Sequence, residues 1–149
     1  MAAKVQGMEE LLELREYIEH ARYAEALSLL GEMEEMSRDE KINKIESFME
    51  ILLIHLIKQH AEKRSTRSWE VSIKNAVHKI GNINRRRKAG GYYLDEGDLQ
   101  VTLEEAWETA LAIASLETLE GCFDEMELAG MINGKQIKYE AMRLILGNG

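Results

Sequence analysis

The 149-residue chain contains no proline, and this absence is the strongest constraint on its fold. Proline interrupts helices because its ring fixes φ and because it lacks an amide hydrogen, so long helices are allowed anywhere along this sequence. The commonest residues are Glu, Leu, Ile and Ala, of which all but Ile are strong helix formers. A chain of this length can bury roughly 70% of its unfolded surface. The sequence therefore predicts a single all-α domain over residues 1–149.

Apolar residues recur at helical spacing and predict about six helices. Two short amphipathic helices are expected between residues 11 and 30, with a joint near residues 20–22. Ser37 and Glu40 form a capping-box pattern, which predicts that a long central helix begins there and runs to about Glu62. The core-facing stripe of this central helix consists of Ile42, Ile45, Met49, Leu52, Leu53 and Leu56.

The middle of the central helix is apolar on almost every side. Ile51 and Ile54 fall well away from the core-facing stripe on a wheel of about 100° per residue. Either other helices of the same chain or a second copy must cover them, because large exposed apolar patches are uncommon on monomers. We favour the second copy, so the sequence predicts a homodimer with Ile51 and Ile54 at its interface.

The next helix combines a core stripe with a basic stripe. Ser65, Thr66 and Ser68 are candidate caps at its start, and the paired glycines at 90–91 are expected to end it. Its inward face consists of Trp69, Ile73, Ala76, Val77, Ile80 and Ile83. The opposite face carries four residues that fall within about 40° of one another at 100° per residue, namely Arg67, Lys74, His78 and Arg85.

The last third of the chain predicts three more helices. Thr102 and Glu105 form a second capping-box pattern ahead of an apolar helix. Two shorter helices, separated by Asn133 and Gly134, complete the chain.

Charge is segregated along the chain. Residues 63–88 contain nine Lys or Arg and one acidic residue, for a net charge of +8, whereas the other 123 residues sum to −16. Such segregation indicates that this segment meets anions, either on the acidic remainder of the molecule or outside it. Free amide hydrogens at the helix start and nearby guanidinium groups could form an anion pocket. The predicted anion-binding or partner-binding residues are Arg64, Ser65, Arg67, Ser68, Lys74, His78, Arg85, Arg86 and Arg87.

Two functions fit this basic helix. In the favoured hypothesis the protein is a non-enzymatic interaction or scaffold module, whose basic helix meets an acidic partner or an acidic face. In the alternative, the basic band follows the backbone of a nucleic acid or binds phosphate, and Tyr92 and Tyr93 stack on bases. Carboxylates in contact with Arg67, Lys74 and Arg85 would favour the scaffold, whereas a positive band facing solvent would favour phosphate or nucleic acid.

The sequence predicts neither an active site nor a cofactor. His55 and His60 are five residues apart and lack the spacing of a metal-ligand pair, and Cys122 has no neighbouring histidine to serve as a base. Cys122 is the only cysteine, so we expect a small buried hydrophobe in a reducing cytoplasm. No apolar run approaches the roughly 20 residues of a membrane span, and no membrane association is expected.

Two linked motifs carry a resemblance to a known family. The first is the helix end "LLIHLIK", residues 52–58, and the second is "RSTRSW", residues 64–69. Together they resemble the bacterial family catalogued only as a domain of unknown function, number 29, from about Leu11 to Ile145. Gln59 stands where the family pattern has an aromatic residue. The resemblance implies an all-helical, oligomeric cytoplasmic protein with no established activity, and it supplies no catalytic residues.

Overall fold

The computed structural model describes the backbone of residues 2–86 and 90–147 and the side chains of residues 9–86 and 90–147. The prediction of an all-α fold with six helices and one long helix is confirmed. A 3₁₀ turn, Thr118–Gly121, follows the fourth helix. The helices are α1 (Ala2–Glu19), α2 (Tyr23–Glu62), α3 (Arg67–Asn84), α4 (Glu96–Glu117), α5 (Glu125–Met131) and α6 (Gly134–Leu146).

The chain divides into two compact units, residues 1–40 and residues 41–149. We call the first the hairpin unit and the second the bundle unit. The division into two compact units does not test whether the whole chain folds as a single domain, so that expectation stays a prediction.

The hairpin unit consists of α1, a three-residue turn and the first part of α2. Ala21 has a left-handed φ of 57°, and the Arg22 amide donates to the Tyr17 carbonyl at 2.7 Å. This turn lies at the joint that the sequence predicts. Among the described side chains of the unit, Ala26 and Leu29 are the buried hydrophobic ones.

Helix α2 is continuous from Tyr23 to Glu62, so the predicted start of a helix at Ser37 is wrong. Ser37 and Glu40 are exposed residues in its interior. The pattern misled because nothing around Ser37 breaks a helix: the flanking glutamates and methionines favour helix, and proline is absent. The predicted end of the helix at Glu62 is confirmed, and Lys63 reverses the chain with a left-handed φ of 53°.

The core of the bundle unit forms around the C-terminal half of α2. The predicted inward face of α3, apart from Trp69, joins apolar residues of α4 and α6 in this core, and α5 adds Leu128. Leu94, in the link between α3 and α4, is also buried. The fully buried large side chains are Ile45, Met49, Leu52, Leu53, Leu56, Ile57, Ile80, Leu94, Leu103, Leu128 and Ile137.

Helix α3 ends at Asn84, earlier than the glycines predict. The side chain of Asn84 is buried, and its amide nitrogen donates to the Leu94 carbonyl at 3.0 Å. The Leu94 amide donates to Asn84 Oδ1 at 2.8 Å. These two bonds join the start of the link between α3 and α4 to its end. Gly90 and Gly91 do have left-handed φ, as predicted, but they lie in this link.

Helix α4 begins at Glu96, one turn and a half before the predicted cap at Thr102. Asp95 accepts a hydrogen bond from the Asp98 amide at 2.8 Å, and Asp98 accepts one from the Asp95 amide at 3.3 Å. Thr102 is buried inside the helix and donates to the Asp98 carbonyl at 2.9 Å. The capping box between Asp95 and Asp98, which the sequence prediction missed, therefore starts this helix.

The predicted burial of Cys122 is wrong, and Ile54 is covered by the chain itself rather than by a second copy. Ile54 is only 8% exposed because it packs in the core of the bundle unit, so it needs no second copy to cover it. Ile51 is 38% exposed, as the dimer hypothesis requires. Cys122 is exposed, contrary to its predicted burial, because it follows the 3₁₀ turn in the loop that precedes α5.

Candidate partner-binding face of helix α3

Helix α3 begins directly after a four-residue turn that follows α2. Thr66 is its N-cap, and its hydroxyl accepts a hydrogen bond from the Trp69 amide at 3.1 Å. The prediction that one of three neighbouring hydroxyl residues caps this helix is therefore correct. Because Thr66 already satisfies an amide of the first turn, that amide is unavailable to an external anion.

Two residues of the predicted anion pocket at the start of α3 have partners within the chain. Arg64 pairs with Glu62, with its Nη2 atom 2.8 Å from Glu62 Oε1, and its guanidinium lies 4.7 Å from the centre of the Trp69 ring. Ser65 accepts a hydrogen bond from the Gln59 side-chain nitrogen at 2.7 Å. The assignment of Arg64 and Ser65 to an anion site stays a prediction.

Residues of both family motifs meet at this junction between α2 and α3. Lys58 is 8% exposed, donates to Glu117 at 2.9 Å and lies 5.7 Å from the Trp69 ring. The Trp69 ring therefore contacts two cations, Lys58 and Arg64, which a ring quadrupole attracts. The sequence did not predict that Lys58 is buried in an ion pair, because its partner Glu117 is 59 positions away in the chain.

Glu62 fastens the same junction to the turn after α4. Its Oε2 atom accepts a hydrogen bond from the Leu119 amide at 3.2 Å. This bond, together with the Arg64 guanidinium, holds the pKa of the Glu62 carboxyl below its ordinary value. Leu119 and Glu120 have left-handed φ values of 50° and 60°, so Glu62 holds a turn that costs conformational energy.

The outer face of α3 carries the predicted basic stripe. Arg67, Lys74 and His78 are exposed along the helix, and Ser68 is exposed at its start. Within the described part of the chain, no carboxylate pairs with Arg67 or Lys74. Glu70 is exposed near both of them on the same helix. His78 Nε2 lies 3.0 Å from the Asn82 amide nitrogen, so this side chain has a polar neighbour on α3 itself.

The stripe continues beyond the helix into the α3–α4 link. Arg85 follows the last helical residue, is exposed and forms an antiparallel bridge with Tyr92. Arg86 is exposed, and its amide donates to the Gly91 carbonyl at 3.0 Å. No carboxylate among the residues that the structure covers pairs with either arginine. The prediction for Arg87 lies outside the described residues.

The two tyrosines of the link differ in their surroundings. Tyr92 is 66% exposed beside Arg85. Tyr93 is half-buried, and its ring lies 5.5 Å from Lys41 Nζ. The structure therefore leaves Tyr92 as the accessible ring of the predicted stacking pair.

An apolar groove of about 330 Å³ runs beside the stripe, between α2, α3 and α6. Lys74 belongs both to the groove edge and to the basic stripe. At the α6 side of the groove, Glu140 Oε2 lies 2.9 Å from His60 Nε2. The groove floor consists of Leu56, Ile73, Val77 and Leu144, and its edges of Gln59, Glu70, Lys74 and Glu140.

Neither a metal cluster nor a membrane-spanning helix occurs in the described residues. No cluster of three or more His, Cys, Asp or Glu side chains there has the geometry to hold a metal ion. None of the helices in the described ranges combines the length and the apolar character that crossing a membrane requires.

Comparison with known proteins places the chain in one family. No curated protein and no solved structure matches it. The family model described as "Domain of unknown function DUF29" matches residues 13–126, which is a shorter range than the resemblance from Leu11 to Ile145. The match contains both motifs and helix α3, and it ends within α5. The chain belongs to this family of domains of unknown function.

Proposed function

We propose that the protein is a non-enzymatic interaction module whose basic stripe on α3 binds an acidic surface of a partner protein. The observation that carries this proposal is the apolar groove beside the stripe, since an apolar cleft suits a protein side chain rather than a phosphate backbone. Arg67, Lys74 and Arg85 are exposed and have no carboxylate partner among the described residues, so they are available to another molecule. By the criterion given above, the exposure of these cations alone would favour phosphate or a nucleic acid.

The groove adds apolar contact area next to these charges. A partner helix with acidic residues beside an aliphatic one could bring its carboxylate to Lys74 and its aliphatic side chain to the groove floor. Exposed charge pairs contribute only about 0–1 kcal/mol each, whereas a buried aliphatic side chain contributes about 1.5–3 kcal/mol. The stripe therefore sets orientation and association rate, and the groove contributes most of the affinity.

Charge reversal of the stripe tests the proposal. We expect Lys74→Glu with Arg85→Glu to weaken partner capture at least tenfold, because two attractive contacts become repulsive. The matched control is Lys44→Glu with Lys135→Glu, which makes the same change of net charge at exposed lysines outside the stripe. Capture from a lysate of the source organism, quantified by mass spectrometry, provides the measurement. Identical retained proteins for all three forms would contradict the proposal.

A nucleic acid is the second candidate partner. It is favoured by the exposed ring of Tyr92 beside the exposed cation of Arg85, a combination that suits base stacking next to a phosphate. The same three proteins, titrated into a fluorescent oligonucleotide, separate the two candidates. Anisotropy that rises for wild type and control, and an affinity that falls steeply between about 50 and 200 mM salt, would support the nucleic acid.

A further inference from the structure

The hairpin unit exposes a regular apolar surface that the basic stripe does not explain. On α2, Tyr23, Leu27 and Leu30 are 62%, 69% and 37% exposed, at the spacing i, i+4 and i+7 that lines one helix face. On α1, Leu11 and Ile18 are 57% and 50% exposed, seven residues apart. Two neighbouring helices thus each present an apolar row to solvent.

The hairpin unit has little interior of its own. Its buried hydrophobic side chains among the described residues are Ala26 and Leu29. A unit of about 40 residues generally needs a disulfide, a metal or an oligomeric partner to bury enough apolar surface. Its sequence contains no cysteine, so a disulfide within it is excluded. The described residues also contain no cluster of side chains that could hold a metal ion, so an oligomeric partner is the remaining one of these three means.

We propose that the hairpin units of two chains pack against each other, so that four helices bury the apolar rows around a two-fold axis. Each row then meets an identical row, which is the self-complementary contact of a symmetric dimer. The residues of the two rows, Leu11, Ile18, Tyr23, Leu27 and Leu30, together expose on the order of 500 Å², more than half of the roughly 800 Å² that each partner contributes to a standard interface. This self-association surface replaces the one predicted at Ile51 and Ile54.

The charge of the unit gives the association a distinctive salt dependence. Residues 1–40 contain eleven acidic and four basic residues, for a net charge of −7. Two such units repel each other at low salt, and added salt screens that repulsion. Salt therefore strengthens this dimer, whereas salt weakens the binding of an anionic partner to the basic stripe.

The test is the mass of the full chain in solution. Sedimentation equilibrium should give twice the 17.1 kDa chain mass for wild type at micromolar concentration. Leu27→Glu should raise the dissociation constant at least tenfold, because it places a charge in the apolar row. The matched control is Leu116→Glu, since Leu116 is 77% exposed in α4, and it should leave the dimer intact. Circular dichroism verifies that both variants remain helical.

A second measurement uses the wild-type chain alone, and so does not depend on any variant folding. Raising NaCl from about 50 to 500 mM should lower the dissociation constant several-fold. A monomeric mass at about 100 µM, or a dimer that Leu27→Glu leaves unchanged, would overturn the proposal. A dimer that salt weakens would overturn it as well. The Lys74→Glu and Arg85→Glu variant should dimerise normally, so failure here is distinguishable from failure of the proposed function.

Discussion

At the scale of single residues, the cations of the α2–α3 region belong to two groups. Lys58 and Arg64 have carboxylate partners and contact the Trp69 ring, so they stabilise the junction between two helices. Arg67 and Lys74 are exposed and have no carboxylate partner in the described ranges. Sequence alone cannot separate these groups, since all four are basic residues close together in the chain. Only the second group is free to bind a partner.

Asn84 should be the most sensitive polar residue of the bundle unit. Asn84→Ala leaves the buried Leu94 amide and carbonyl without partners, and each such group costs about 1–3 kcal/mol. We expect the free energy of unfolding in urea to fall by about 3 kcal/mol. Asn82→Ala, an exposed change on the same helix, should stay within about 0.5 kcal/mol of wild type. Equal losses for the two variants would contradict the role assigned to Asn84.

Glu62 should give the protein a measurable acid sensitivity. The pKa of the Glu62 carboxyl is lower in the folded state than its ordinary value of 4.5. The charged carboxylate therefore contributes stability that is fully present above pH 4.5 and is lost as the pH falls towards the folded-state pKa. Glu62→Gln should lower the free energy of unfolding near neutral pH by up to about 1 kcal/mol, the range of a solvent-screened ion pair, and the difference from wild type should shrink below about pH 4.5. Urea unfolding at several pH values measures this difference. The exposed change Glu105→Gln should show no such pH-dependent difference.

At the scale of helices, the continuity of α2 is the main departure from the sequence prediction. Ser37 and Glu40 satisfy a capping-box pattern, yet a serine and a glutamate can equally stand in the interior of a helix. A capping box forms only where the chain before it leaves the helical conformation. The residues before Ser37 have no reason to leave it, because they are glutamates, methionines and leucines.

A pair of proline substitutions tests the continuity of α2. At Arg38, proline would occupy the tolerated first position if a helix began after Ser37, but in a continuous helix it costs about 3 kcal/mol or more. Arg67 is the first residue of α3, and Thr66 already has the extended conformation that precedes proline. We expect Arg38→Pro to lower the helical dichroism and the unfolding free energy, and Arg67→Pro to change neither substantially. Tolerance of Arg38→Pro would contradict a continuous α2.

What the sequence predicts well are the faces of helices, and what it predicts poorly are contacts between distant residues. Leu53, Leu56 and Ile80 are buried, as the core stripes predicted for their helices require. The Asn84–Leu94 bonds and the Lys58–Glu117 pair join residues whose proximity follows only from the packed fold. For the site, the exposure of Lys74 was predictable from the helical wheel. The ion pair between Arg64 and Glu62 was not predictable from the wheel.

At the scale of the whole molecule, the charge distribution assigns different associations to different parts of the chain. The hairpin unit carries a net charge of −7, and residues 63–88 carry +8. Salt consequently acts in opposite directions on the two proposed associations, which makes them separable in one preparation. The groove beside α3 takes Glu140 and Leu144 from α6, and this helix lies beyond the family match at residues 13–126.

The exposed thiol of Cys122 makes such measurements practical without any engineering. Since the chain has one cysteine and it is accessible, a maleimide dye attaches at a single defined position. Mixing donor-labelled with acceptor-labelled chains then reports subunit exchange as energy transfer, in real time and at nanomolar concentration. The same label, used alone, reports the rotational slowing that accompanies capture by a larger molecule.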